Sequence, residues 1–354
     1  MPIVTAAELM SLSNEIFTSW GTPISDAQIV SEHLVESNLR GIDSHGVIRI
    51  PQYVEDIEQG RVLPGAPVLE GEKNAAVTAV DCGWNFGQVG ATKAMEIAIA
   101  DARRMRVSAV VTRRCNHAGR LGAYAEQAAH AGFLALGFCS SPRHGHFVVP
   151  WGGREGRLST NPIAFGIPAG REEPIVGDFS TSQTAEGKIR LHRNEKRKLP
   201  EGWILDGKGN PSIQPSDFYG PPQGVILPFG GRLGYRGYAL GLLVEVMGTI
   251  LAGYASPMDR PGNGVAFIVL DVSALLPRSR YDELIEDMVA YIKSSSPIKA
   301  GDQVLLPGEL ERNVRKERLE RGICIDNNTW NAIQSSRANG RGAAAKNISQ
   351  ATIG

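Results

Sequence analysis

The sequence predicts a mixed α/β fold of the α+β-like kind, opening with an amino-terminal helical region, and three observations carry that prediction. Two capping-box spacings, Thr5-x-x-Glu8 and Ser25-x-x-Gln28, each precede an apolar stretch of helical period. From Val77 onward, β-branched runs alternate with helix-periodic runs. Residues 147–228 then break into short apolar runs cut by Gly, Pro and Asn, the mark of antiparallel strands and long loops more than of repeated βαβ units.

Taken in order, the first two helices are expected over 6–19 and 26–40, followed by DSHGVIR (Asp43 to Arg49) on a helix edge and a short helix ending near Gly60. LPGAP, residues 63–67, reads as a linker and divides an amino-terminal helical region (1–65) from a mixed α/β core (66–334). A strand at 76–81, a helix at 88–105, a strand at 107–112, a helix at 120–131 and a strand at 133–139 follow. A long buried helix at 235–252, a strand at 265–271 and a helix at 281–294 close the core. The small, polar segment from Ser335 reads as a disordered tail over 335–354.

At 354 residues the chain exceeds what one hydrophobic core usually serves, and 42% apolar against 21% charged residues is an ordinary balance for a globular protein. With 37 basic and 37 acidic side chains there is no net field to attract nucleic acid or a membrane surface, so neither is an expected partner. Cys82, Cys115, Cys139 and Cys324 form no CxxC pair, and the amino terminus has no secretory pattern, which together suggest a reducing cytoplasm. The longest apolar run, Tyr238 to Leu251, is too short for a bilayer.

Neither GxGxxG nor GxxxxGK[ST] occurs, which disfavours a Rossmann half or a P-loop. Other clusters carry the chemistry. Ser44, His45 and Arg49 lie within six residues: an imidazole exchanges protons near neutral pH and a guanidinium can hold a carboxylate, although a solvated turn fits the same residues. Asn116 and His117 fall between an apolar strand and a helix start, where α/β proteins present ligand-facing groups and where Asn is also a common cap. Thr160 and Asn161 sit in the glycine- and proline-bounded loop PWGGREGRLSTNPIAFGIP, a structural turn or a pocket wall. GDFSTSQTAEGK sets Asp178 ahead of the hydroxyls of Ser180, Thr181, Ser182 and Thr184, a loop able to bind phosphate or ribose. Arg232 and Arg236 occupy a glycine-rich helix start, where cations oppose the helix dipole and ask for an anion. His144 and His146 have no third ligand at useful spacing, so no metal site is expected.

In combination, SHGVIR, NHAGRLGAYAE, PWGG with STNPIA, DFSTS with EGK, LPEGW, GGRLGYRGYALGLLVEV and LPGE resemble the type-2 malate/L-lactate dehydrogenase family over roughly residues 5–325. That resemblance implies a large, mostly antiparallel sheet flanked by helices, non-Rossmann binding of NAD or NADP, and a homodimer. It implies interconversion of 2-oxo and 2-hydroxy acids, or reduction of cyclic 2-imino acids. His45 then matches the proton donor, with Ser44 beside it, and His117 the second site histidine. Arg49 matches the carboxylate clamp, while Asn116, Thr160 and Asn161 line the substrate pocket. Asp178, Ser180, Thr181, Ser182 and Thr184 match one cofactor segment, Tyr235 and Arg236 a second, and Gly308, Glu309 and Leu310 a third. Two departures stand out: Arg236 replaces a lysine and Ser159 a glycine, putting the cofactor pose and the loop geometry in question. The basic run from His192 to Lys198 is a candidate contact for a 2′-phosphate, or a solvated loop. A catalytically silent dinucleotide-binding protein is the alternative from another class.

Overall fold

The computed structural model describes residues 1–141, 143–170, 172–253, 262–299 and 301–351, with His144 and 341–351 described by backbone alone. Its centre is a seven-stranded sheet in the order β2-β3-β4-β11-β5-β6-β7. The strands are β2 (Leu69–Asn74), β3 (Val77–Asp81), β4 (Val107–Arg113), β5 (Phe133–Ser140), β6 (Pro162–Ala169), β7 (Glu172–Ser180) and β11 (Gly264–Asp271). Only β3 and β4 pair in parallel, through the crossover helix α4 (Gly87–Met105); every other neighbour in the sheet is antiparallel. Pairs β1 (Ile3–Val4) with β12 (Ile323–Cys324), and β10 (Val225–Ile226) with β8 (Ile204–Leu205) and β9 (Pro211–Ser212), form two small sheets.

Alanines explain how α4 seats on the sheet. Ala91, Ala94, Ala98 and Ala102 recur at helical spacing with no exposed surface, so the helix axis approaches Val80, Val110, Phe267 and Val269 closely. Helix α5 (Gly122–His130) packs into the same core through Tyr124, Ala125 and Ala128. A second core joins α1 (Ala6–Ser19), α2 (Ile24–Leu39) and α3 (Ile50–Glu58), with Phe17, Tyr53 and Phe86 in mutual ring contact. Phe86 immediately precedes α4, so this aromatic cluster ties the helical region to the sheet.

Thr5 and Glu8 form the expected capping box. The second does not form: α2 begins at Ile24 behind Pro23, whose fixed φ already suits a helix entry, and Ser25 becomes a helical residue. LPGAP is stitched to both sides, since Gly65 N–H donates to Asp26 and Asn85 donates to both Asp26 and the Ala66 carbonyl. The long helix splits into α8 (Gly234–Glu245) and a π-helical turn Val246–Ile250, and it is not buried: Leu240, Leu242, Leu243, Val246, Ile250 and Leu251 are all exposed. Helices α6 (Glu186–Asn194), α7 (Pro215–Tyr219), α9 (Arg278–Lys293) and α10 (Glu309–Arg321) complete the core. The segment expected to be disordered from Ser335 belongs instead to α11 (Asn327–Ala351), held by an ion pair of Arg337 with Glu15 and by the Trp20 indole donating to the Ser336 carbonyl. Residues 352–354 of that segment lie outside the described residues. No helix among the described residues is long and apolar enough to cross a membrane.

Candidate active site

DSHGVIR folds as two short 3₁₀ turns, Asp43–His45 and Val47–Arg49, leading into α3. Asn38 on α2 fixes them: its amide nitrogen donates to Asp43 at 2.6 Å while its amide oxygen accepts from Val47 N–H at 2.8 Å. Gly46 is required by this packing, since a Cβ there would lie 2.2 Å from the Asn38 side-chain oxygen. Asp43, which has no chemical role in the sequence motif, is gripped from α10 by both terminal nitrogens of Arg318.

On this turn the Ser44 hydroxyl lies 3.0 Å from His45 Nδ1. The His45 ring stacks nearly parallel to His117, centroids 5.6 Å apart and planes at 17°. Residues 72 apart in sequence are thus brought together by α4, whose Gly87 passes so close that a Cβ would sit 2.2 Å from the Asn116 carbonyl oxygen. Burial, then the charges of Arg49 and Arg120, lower His45 from 6.5 to about 3, so the free pocket holds a neutral imidazole. Arg49 Nε donates to the Ser44 carbonyl and Nη1 to Gln52, both at 2.8 Å. Nη2 keeps no hydrogen bond among the described residues, and Nη1 has a second hydrogen beside the one given to Gln52, so the clamp has donors for a carboxylate without displacing Gln52.

Asn116 is buried, and its amide nitrogen is committed to the carbonyls of Arg61, Trp84 and Asn85, leaving its oxygen for any ligand. Asn161 is wholly buried at φ +39°, with its amide donating to the Gly241 carbonyl and to Glu245 on α8. Ser159, where a glycine was expected, does not have a positive φ and donates to the Asn161 side chain, so position 159 itself does not require a glycine. Thr160 receives the Thr181 N–H through its carbonyl at 3.0 Å.

The 178–187 strap links these pieces. Asp178 accepts from Gly122 N–H at the start of α5, at 2.7 Å. Burial raises its carboxyl, against the lowering effects of that bond and of Arg120. Most hydroxyls of the strap serve its own loop: Ser180 donates to the Ser182 carbonyl, Thr181 to Asn161, and Ser182 to the Thr184 carbonyl. Thr184 Oγ1 is the exception, buried and with no partner among the described residues. Further along, Gly187 backs onto Ser44, and Glu186 is held by Arg190 and Tyr219.

Tyr235 and Arg236 stand on the first turn of α8, where Tyr235 packs edge-on against Trp151 and Arg236 lies over Tyr235. Neither Arg232 nor Arg236 meets a carboxylate among the described residues. Gly308 precedes α10 at φ +91° and abuts the Val176 backbone of β7, whereas Glu309 is spent on Lys293 and the Leu306 N–H and Leu310 is exposed. In the basic run, Arg193 covers Tyr219 and Arg197 pairs with Glu195. Among the described residues no His, Cys, Asp and Glu group could hold a metal, and the His144 side chain lies outside them.

Five residues around the site were not singled out by the sequence motifs. Tyr53 Oη lies 2.7 Å from His117 Nδ1, and Gln88 donates to the same phenol at 2.7 Å. His33 Nε2 accepts Arg120 N–H at 2.8 Å, and Asn263 takes Ala118 N–H. Arg120 itself lay unmarked inside NHAGRLG, and it is buried against Glu126. Only tertiary contact reveals these partners, each drawn from a different element.

A malate/L-lactate dehydrogenase family model matches residues 4–334, across all of these motifs. The chain belongs to the malate/L-lactate dehydrogenase family. The dehydrogenase is 31% identical over 328 residues to L-sulfolactate dehydrogenase of Methanocaldococcus jannaschii, covering 90% of this chain and 92% of that protein. Among solved structures, a putative malate/lactate dehydrogenase from E. coli superposes with a TM-score of 0.88 at 30% identity, covering 99% of this chain and all of that one. A delta1-piperideine-2-carboxylate reductase from Pseudomonas syringae pvar. tomato gives 0.82 at 28% identity, covering 95% of this chain and 100% of that chain. The mostly antiparallel sheet expected from the resemblance is therefore the family's fold.

A nicotinamide cofactor follows from membership, and the residues present fit one. Arg232 and Arg236 at the start of α8, which meet no carboxylate among the described residues, and the unsatisfied buried hydroxyl of Thr184 have the chemistry to suit the phosphates and ribose of such a group.

Proposed function

We propose that this dehydrogenase interconverts a small 2-oxo acid and its 2-hydroxy acid, with His45 moving the proton and Arg49 holding the substrate carboxylate. The observation that supports it best is the single turn carrying both groups, with His45 stacked on His117 and one Arg49 nitrogen uncommitted. Bound nicotinamide supplies or receives the hydride. Ser44, Asp178 to Thr184, Tyr235, Arg236 and Gly308 to Leu310 would hold substrate and cofactor, Thr184 through its spare hydroxyl and Arg236 through a charge that meets no carboxylate among the described residues.

In the oxidative direction the neutral His45 imidazole is ready to take the substrate hydroxyl proton. In the reductive direction it must first be charged, and a substrate carboxylate on Arg49 offsets one of the two cations that keep it neutral. Arg49 also sets the substrate's C2 in reach of His45, which converts binding into orientation.

Exposed apolar residues along α8 and its π turn, Leu240, Leu243, Val246, Ile250 and Leu251, support a homodimer as the working form. Reduction of a cyclic 2-imino acid is the second reading, favoured by the close superposition with the piperideine-carboxylate reductase, because the same acid and clamp serve C=N. Loss of absorbance with NADH and NADPH, across pyruvate, oxaloacetate, sulfopyruvate and a piperideine carboxylate, tests both readings and the cofactor choice together. Turnover of at least one 2-oxo acid is expected. Nicotinamide binding without turnover of any of them would leave the silent binding protein as the answer.

A further inference from the structure

We propose that Tyr53 and Gln88 hold His117 in a single tautomer, neutral with its hydrogen on Nε2, making His117 a fixed hydrogen-bond donor beside His45 and not a second proton-transfer group. The consequence for catalysis rests on the dehydrogenase reading above; the tautomer itself does not.

Hydrogen-bond counting leads to this assignment. Tyr53 and Gln88 are buried, 2% and 0% exposed. In the amide orientation of the structure Gln88 Nε2 faces the phenol oxygen and donates to it at 2.7 Å, while Gln88 Oε1 is buried with no partner among the described residues. The phenol then has one hydrogen to place, and His117 Nδ1 at 2.7 Å is its acceptor. Were Nδ1 protonated, two hydrogens would converge on the phenol oxygen and the buried phenol hydrogen would be left without a partner. Nδ1 is therefore an acceptor, and the ring hydrogen lies on Nε2.

His45 is built differently. Its Nδ1 faces the Ser44 hydroxyl, which can accept from Nδ1–H in both the neutral and the charged ring, so that Nε2 is free to gain or lose the proton. Among the described residues no second side chain fixes the direction of that hydroxyl. Two stacked rings thus have unequal freedom: His45 changes charge with its partner intact, whereas His117 loses a buried hydrogen bond on protonation. Burial, then Arg49, His45 and His33, also holds the His117 imidazole well below its ordinary 6.5. Tyr53 and Gln88 are positioning residues, acting through His117.

Long-range ¹H–¹⁵N correlation of the ¹⁵N-labelled full chain at neutral pH reads the tautomer directly, with signals assigned by their loss in His117→Gln. A neutral ring with Nε2–H and an unprotonated Nδ1 is expected; Nδ1–H, or an imidazolium, would overturn the proposal without any variant at Tyr53. In Tyr53→Phe the tautomers should mix and kcat fall about tenfold, the scale of one buried hydrogen bond, while nicotinamide binding holds. An unchanged spectrum in Tyr53→Phe would refute the holding role. Because the spectrum is recorded without substrate or cofactor, a wrong substrate class shows as absent turnover with the tautomer intact, and a wrong tautomer as a changed spectrum with turnover intact.

Discussion

His45 is a residue whose chemistry depends on what surrounds it more than on what it is. Replacement by Ala should lower kcat by about 10²–10⁴-fold, the usual worth of positioned acid–base catalysis, with nicotinamide binding retained by fluorescence titration; an unchanged kcat would move the proton transfer elsewhere. Arg49→Ala should instead raise the KM for the 2-oxo acid, and coincident KM values in mutant and wild type would place the carboxylate clamp on another residue. The same burial that keeps these groups poised makes the fold acid-sensitive. His33 and His45 lie at about 3 when folded against 6.5 as free side chains, so below about pH 6.5 the unfolded chain binds protons that the folded chain refuses. Stability is then whole above that pH and falls toward pH 3, by at most about 1.4 kcal/mol per histidine per pH unit. Urea midpoints at pH 7.5 and 5.0 test it, with the lower midpoint expected at pH 5.0.

Elements that look incidental in the sequence set the geometry of those residues. The 3₁₀ turn around His45 is clamped between Asn38 of α2 and Arg318 of α10, and α10 is capped by Gly308, a residue of the proposed cofactor segment. Gly46→Ala would force a methyl into Asn38 and displace both halves of the turn. Activity should be lost with a drop in thermal midpoint, and a variant of wild-type activity would show that the turn adjusts freely. The Thr160–Asn161 signature was legible as a pocket motif, yet Asn161 spends its amide on α8, bonding Gly241 and Glu245. The sequence could mark the residue but not its job, because the acceptors lie some 80 positions away and their approach is a tertiary event. Ser25 failed as a cap for a local reason, since Pro23 had already started the helix.

Over the whole molecule, one sheet face is covered by α4 and α5, while the α8 side presents leucines and isoleucines to solvent. Light scattering is expected to give twice the 38.0 kDa chain mass. Leu243→Glu should halve that mass if this ridge is the interface, and a monomeric wild type would remove the homodimer.

By itself the sequence determined the order of helices and strands over 6–139 and 235–294, because apolar period acts within a few residues. It also marked Ser44, His45, Arg49 and the 178–184 strap, whose motifs are contiguous. What it left open was decided by contacts distant in the chain: the stacking of His45 on His117, the Tyr53–Gln88 relay, the anchoring of Asp43 by Arg318 and the exposed face of α8. Local propensity carries no record of which distant group closes a hydrogen bond, so those roles exist only once the chain has packed.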